Sequence, residues 1–554
     1  MTGVPQVPEV PRVPRVRLPR ASCFLSFVWF VLLSTAGTAW PAGRDLTGVD
    51  ALARVYDLLL NADFDAAETA LAGACPPAPR EACDVMAATI TWWRIQLDPE
   101  DRSLDATFSQ RAERAIASTE TWASHEPTSA EAQFYAGAAY AARVQWRVLR
   151  DEKLSAARDG KRIKQALDRA IALDADLDDA YFGLGLYEYY ADVAPAAAKV
   201  LRFLLLLPGG DRTEGLARMR RARAAGKLLQ GEADYQLQII YLWYEKRVDL
   251  AVGLLTSLHD RYPGNPLFAS QLADVQDRYQ HDITAALATW HALAAAAHDR
   301  QVNEPALAEA QARLGAARQL EALHETDQAI EQVRGVIEAK AIRPYGALAA
   351  AYLALGEGED RLGHHDSAIA AYRLALGAIA PGAPDPDDVR HHAADAVRRT
   401  PDPTRAEAYR VSIEGLRKLE HGDAADAISL LTHSLRLEPA DPVTRYRYGR
   451  ALEARKENVE ALDAFEATIS DARACPAPIA AAAYLDAGRL HERLAHRQQA
   501  IEYYRAASTW FGAGADTRAA ALRALARLHA QTATKERYSA RSLAPKIGFQ
   551  GEDF

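Results

Sequence analysis

Gly415 and Gly449 stand 34 residues apart, and the residues around them recur in the same register. Ala427 and Ala461 follow at one common offset, Leu431 and Phe465 at another, and Pro439 closes the first interval. A third interval, reached by a longer connection, repeats the pattern in Gly488, Ala500, Tyr504 and Ala507. A period of this length holds one helix-turn-helix. Two short helices approach closely only where small side chains face each other, which explains glycine in the first helix against alanine in the second. The bulkier residue one turn beyond the alanine fills the space beside that contact. A single hairpin leaves one face apolar and uncovered, so neighbouring hairpins must stack. The fold class that follows is all-α: a solenoid of stacked antiparallel helix pairs.

Composition agrees. With 49% apolar and 25% charged residues the chain is globular and rich in helix formers. No long Val/Ile/Thr run alternates with period two, which argues against a sheet domain. At 554 residues the chain exceeds what one compact core usually serves, a limit that a solenoid evades by growing in one dimension. A net charge of −9 argues against generic nucleic-acid binding.

The N-terminus reads as an address. Arg12, Arg15, Arg17 and Arg20 precede an apolar stretch from Cys23 to Ala39, and Gly37 and Ala39 offer a cleavage site before Trp40. This is the layout of a secretory signal peptide over residues 1–39, with an uncleaved membrane anchor as the alternative. Either way the body lies outside the cytoplasm, periplasmic or secreted, with membrane association only through this segment. Three cysteines then remain. Cys75 and Cys83 flank a proline-rich loop and are candidates for a disulfide in an oxidising compartment, while Cys475 is left over.

Along the body, residues 45–378 read as a degenerate helical array. A hairpin spans 47–74 and helices follow at 81–97 and 103–124. A long helix opens near Ala136 and runs through Trp146 to about Arg158, and another covers 163–174. Asp178 to Tyr190 carries Gly183, Gly185, Tyr187, Tyr189 and Tyr190; Val200 to Leu207 is apolar except for Arg202; Pro208 to Asp211 breaks the chain; and Asp211 with Glu214 caps a helix through Ala225. Repeat register returns after Glu232 and is clear at Gly356, Ala368, Tyr372 and Ala375. Residues 379–404, with Pro381, Pro384, Pro386, Pro401 and Pro403, form a linker or an irregular inserted helix. Residues 405–531 form the regular C-terminal array, ending in a capping helix at 517–531, and 532–554 read as a polar tail.

Taken together these units resemble exported bacterial tetratricopeptide repeat (TPR) proteins over most of residues 45–531. The resemblance implies a right-handed superhelix whose concave face binds peptides or other proteins, without catalytic chemistry. By the family's groove positions, the face would hold Tyr409, Ser412, Leu416, Leu419 and Glu420 in one unit. It would continue with Val443, Tyr446, Arg450, Glu453 and Ala454 in the next, then Ala482, Leu485, Arg489, Glu492 and Arg493. Arg450, Arg489 and Arg493 suit the carboxylates of an acidic peptide and Tyr409 and Tyr446 offer contact area, unless Glu453 and Glu492 neutralise the arginines locally.

Sites of other chemistry are weak. His491, Glu492 and His496 miss the i, i+4 spacing that brings two histidines to one helix face, so no metal is expected there. His364 with His365, and His391 with His392, are adjacent pairs that give a site one ligand at most and read as solvated histidines. No nucleotide loop or nucleophile elbow occurs, and no cofactor is expected. Two functions stay open: a non-catalytic envelope scaffold that binds a partner protein, or a carrier of lipid or another small molecule that uses Tyr187–Tyr190 and the apolar segment 200–207.

Overall fold

The computed structural model describes residues 46–194, 209–385 and 387–542, the last eleven of these by backbone alone. The leader at 1–39, the apolar segment 200–207, Pro386 and the end of the tail lie outside the described residues. Among the described residues all regular elements are helices, and no strand occurs.

The chain opens with α1 (Val49–Leu60), α2 (Phe64–Ala72), α3 (Arg80–Leu97) and α4 (Asp105–His125). The Cys75–Cys83 disulfide closes the proline-rich loop between α2 and α3, with the Cα atoms 6.4 Å apart. Next come α5 (Ala130–Leu149) and α6 (Lys153–Leu173), where the sequence suggested one helix running to about Arg158. The helix stops earlier because Asp151 turns into the left-handed region at φ 63° and sends α6 back along α5. Asp159, buried on α6, then holds Arg143 and Arg147 of α5 at 2.8 and 2.6 Å. The apparent long helix is thus a hairpin held by a charge cluster.

Helix α7 (Ala180–Val193) crosses α8 (Arg212–Ala225) at Gly185 and Gly215. A Cβ on either glycine would lie 2.6–2.7 Å from the other's carbonyl oxygen, so only glycine permits this backbone contact. The Asp211 carboxylate accepts the Thr213 and Glu214 amides and starts α8. After these come α9 (Gln230–Trp243), α10 (Val248–Arg261), α11 (Pro266–Arg278), α12 (Ile283–His298), α13 (Pro305–Ala322), α14 (Thr326–Glu338), α15 (Ala347–Arg361) and α16 (His365–Ala378).

Residues 379–404 contain a short helix, α17 (Val389–Ala396), whose Val389, Ala393 and Ala396 pack with Tyr372, Ala375 and Ile379 of the preceding pair. The regular units then follow: α18 (Pro403–Glu420), α19 (Ala424–Leu437), α20 (Pro442–Ala454), α21 (Asn458–Ser470), α22 (Ala477–Arg493) and α23 (Arg497–Thr509). Within each pair the recurring alanine is wholly buried: Ala368, Ala427, Ala461 and Ala500 are all 0% exposed. The recurring glycine lies against the bulky residue, and a Cβ at Gly449 would come 2.7 Å from Phe465. Gly356, Gly415 and Gly488 meet Tyr372, Leu431 and Tyr504 in the same way. The final helix, α24 (Ala515–Ser542), runs past the expected 517–531 into the segment read as tail.

Side chains also tie together segments more than 200 residues apart in sequence. The Asp57 carboxylate accepts the Tyr262 hydroxyl at 2.8 Å, Asp98 accepts the Tyr345 amide at 2.9 Å, and Asp282 accepts the Ala515 amide at 3.0 Å.

Candidate partner-binding face

Helices α18, α20 and α22 are the first members of the three regular pairs and carry the sequence-predicted groove residues. Each starts where a local signal places it. Asp402 and Asp441 cap α18 and α20, with Pro403 and Pro442 in their first turns. The predicted residues then divide into two groups.

In the first regular pair part of the expected face is covered by the chain itself, with Leu419 half-buried and Glu420 exposed. Ser412 is 0% exposed, accepting hydrogen bonds from Thr444 Oγ1 at 2.7 Å and Arg447 Nη1 at 2.9 Å, so it is a packing residue and not a groove residue. Leu416, Val443 and Leu485 are buried as well. Ser412 is thus enclosed by α20, and the turn between α13 and α14 meets α18 and α20 beside it. Arg447 Nη2 donates to the His324 carbonyl at 2.7 Å, and Arg417 clasps Asp327 at 2.7 Å. Tyr409 bonds Thr326 Oγ1 at 2.8 Å beneath the Arg361 guanidinium, and lines a polar cavity of about 740 Å3 with Arg399 and Arg405. Arg447 and Arg417 carry no mark in the sequence, because the segment they hold is about 90 or more residues away.

In the second and third pairs the structure brings Tyr446, Arg450, Glu453, Arg489 and Arg493 together. The Tyr446 hydroxyl donates to Asp486 Oδ2 at 3.1 Å, and Arg489 pairs with the same carboxylate at 2.8 Å. Burial raises the pKa of Asp486 while Arg489 opposes the shift. Asp486 sits three residues before Arg489, one turn away on the same helix, and is the functional neighbour that groove positions alone overlook. Arg493 pairs with Glu453, and Glu492 accepts from Tyr504 and from Arg527 of α24. Arg450 differs from these: its guanidinium lies 6.0 Å from the Tyr446 ring centroid and has no carboxylate partner among the described residues. The face therefore presents one uncommitted cation beside the Tyr446 ring, a pair in which Arg489 holds the buried Asp486, and a more exposed Arg493–Glu453 pair. A pair of the last kind contributes about 0–1 kcal/mol, so a ligand carboxylate can displace Glu453.

The histidine candidates are also placed. The pairing excluded by helical spacing does occur: His491 Nδ1 and His496 Nδ1 are 3.4 Å apart, because α22 ends at Arg493 and Ala495 turns the chain back. His491 Nε2 meets Glu466 at 3.2 Å and its ring stacks on Tyr503. His364, His365 and His391 are paired with Glu359, Asp360 and Asp395. Among the described residues no group of three or more His, Cys, Asp or Glu is placed to hold a metal ion. Cys475 is a free, buried thiol whose pKa is raised by burial to about 12.

Residues 418–485 match the family model for the tetratricopeptide repeat, so the segment carrying Tyr446, Arg450 and Glu453 consists of such repeats. No curated protein matches the chain. Among solved structures, a tetratricopeptide repeat protein from Parabacteroides merdae shares 15% identity, over 53% of this chain and 98% of that chain, with a TM-score of 0.23. A Rap protein complexed with competence and sporulation factor shares 14% over 87% of this chain and 99% of that chain, with a TM-score of 0.30. The APC/C hetero-tetramer Cut9–Hcn1 shares 14% over 87% and 90%, with a TM-score of 0.24.

Proposed function

We propose that this protein is an exported, non-catalytic scaffold of the cell envelope that holds an acidic segment of a partner protein on the face formed by Tyr446, Arg450, Arg489 and Arg493. The observation that carries the reading is Arg450, a cation without a carboxylate partner among the described residues, seated at an aromatic ring between the Arg489–Asp486 and Arg493–Glu453 ion pairs. Arginine at such a place accepts a carboxylate through two parallel hydrogen bonds, and the tyrosine beside it supplies apolar contact. The TPR segment supports the class of function, since stacked helix hairpins offer extended faces for other chains. The basic and apolar N-terminal segment supports export, and the Cys75–Cys83 disulfide suits an oxidising compartment. No helix among the described residues is long and apolar enough to cross a membrane.

The test is affinity capture from cross-linked envelopes with the full chain, read by mass spectrometry, in parallel with the Arg450→Ala/Arg489→Ala double variant. A reproducible protein partner is expected whose recovery drops at least about tenfold in the variant, as loss of two charge-assisted contacts implies, with its helical circular dichroism retained. Equal recovery by both proteins overturns it.

A further inference from the structure

Tyr187 and Tyr190 of the tyrosine-rich helix α7 line a cavity of about 500 Å3 between α5, α6 and α7, bounded also by Tyr244. Its other walls are mainly apolar, with Val144, Leu154, Phe182 and Leu186 among them. The rim leaves Val148 57%, Leu154 49% and Tyr244 43% exposed, next in sequence to Trp243 at 57%. Well-packed interiors leave few voids larger than a water molecule, and clustered exposed apolar side chains mark binding sites. Apolar clefts of this size between helices, with a few convergent polar groups, are the usual form of a small-molecule site.

Those polar groups lie deeper. The cavity shares the walls Ala141, Gln145, Ile163, Phe182 and Gly183 with an inner space of about 70 Å3. Trp92 and Tyr135 line this inner space at 5% and 2% exposure, and their indole nitrogen and phenolic oxygen are buried without a hydrogen-bond partner among the described residues. Buried donors are normally paired, so two orphans in one cavity wall point to an absent acceptor. The acids nearby are already engaged. Glu232 accepts from the Tyr56 hydroxyl and from Trp93 Nε1, both at 3.1 Å, and Asp179 accepts the backbone amides of Lys227, Leu228 and Leu229. What remains is hydrogen-bond donors beside two carboxyl groups, which favours an uncharged oxygen and disfavours a second carboxylate.

We infer that this cavity binds a neutral single-chain amphiphile of the fatty alcohol or fatty ester class, its oxygen accepting from Trp92 Nε1 and the Tyr135 hydroxyl and its hydrocarbon filling the outer cavity. The site is built from α3, α5, α6, α7 and α9, apart from the Arg450 face, and stands independently of the partner-binding reading.

The test titrates the full chain with the neutral fluorophore N-phenyl-1-naphthylamine and displaces it with decan-1-ol or decanoate. Saturable binding of one probe per chain is expected, with decan-1-ol displacing at about tenfold lower concentration than decanoate, whose charge would be buried beside two carboxyl groups. Ala157→Trp fills the outer cavity from a half-buried wall position and is expected to abolish probe binding. The Trp92→Phe/Tyr135→Phe pair removes only the inner donors and is expected to retain the probe while raising the decan-1-ol concentration needed for displacement about tenfold, the worth of the lost hydrogen bonding. No saturable binding, equal probe affinity in Ala157→Trp, or a preference for decanoate each overturns the inference. Should Ala157→Trp lose its helical circular dichroism, the double phenylalanine variant decides alone: unchanged displacement by decan-1-ol there also overturns the inference.

Discussion

Glu232 places a carboxyl group in a fully buried setting, held by hydrogen bonds from Tyr56 and Trp93. Burial is the largest cause acting on it and raises its pKa, against the opposing hydrogen bonds from Gln236, Tyr56 and Trp93. The folded pKa thus lies above the unfolded value of about 4.3. The native state keeps its proton where the unfolded chain has lost it, so this group's stabilising contribution is full below that value and declines as pH rises through the folded pKa. Glu232→Gln keeps the acceptor and cannot ionise; it is expected to flatten the decline and to exceed the parent's stability at pH 8. Denaturant unfolding from pH 4.5 to 8 checks this, and parallel curves for parent and variant count against it. A second residue-scale expectation concerns Arg447, 3% exposed between Ser412 and the His324 carbonyl. Arg447→Met leaves those buried acceptors without their donor and should cost about 2–3 kcal/mol, measured by urea unfolding. By contrast, Arg450→Ala should change stability by less than about 0.5 kcal/mol, as befits an exposed side chain without a salt bridge.

At the scale of the element, the glycine-to-aromatic contact inside each hairpin sets the distance between its helices. Gly449→Val pushes branched carbon into the Phe465 ring, which has no free volume to yield, so a loss of about 1–3 kcal/mol is expected. Phe465→Leu combined with Gly449→Ala should lose less than the sum of the two single changes, because the smaller side chain vacates the space the new methyl needs. A thermal-denaturation double-mutant cycle reads that coupling, and strict additivity would show that the contact does not set the spacing. The residues in these contacts were legible in the sequence because glycine, alanine and the bulky residue recur at one offset in consecutive units, but the expected neighbour of the glycine was the alanine, and the structure sets it against the bulky residue. The hairpin of α5 and α6 was not legible, since its break at Asp151 rests on a left-handed backbone conformation and on Asp159 pairing with two arginines. Both segments are helical in pattern, and pattern alone does not reveal a reversal.

At the scale of the whole molecule, stacked repeats ordinarily draw stability from nearest neighbours only. Here Asp282 bridges to the start of α24, and Phe511 lies 4.6 Å from the His281 ring, centroid to centroid. The middle of the chain and its last helix are therefore in direct contact. Asp282→Ala should lower hydrogen-exchange protection both in α12, which Asp282 caps, and in residues 515–528. Loss confined to α12 would show that the long-range contact carries no stability. Groove positions were read from regular repeats, whereas Ser412 is buried against Thr444 and Arg447, and Arg447 also binds the α13–α14 turn through the His324 carbonyl.

The sequence by itself determined the helical class, the helix pairs and the residues that pack them, because these follow from local periodicity and from the size of side chains at fixed offsets. The resemblance to tetratricopeptide repeats, not helical spacing, suggested that Tyr446, Arg450, Glu453, Arg489 and Arg493 of α20 and α22 share a face. Tertiary structure decided what covers that face and what does not. Whether Ser412 is exposed, which carboxylates neutralise which arginines, and where unpaired donors line a cavity all depend on segments tens to hundreds of residues apart. Burial and hydrogen bonding between such segments are non-local, and no repeat period encodes them.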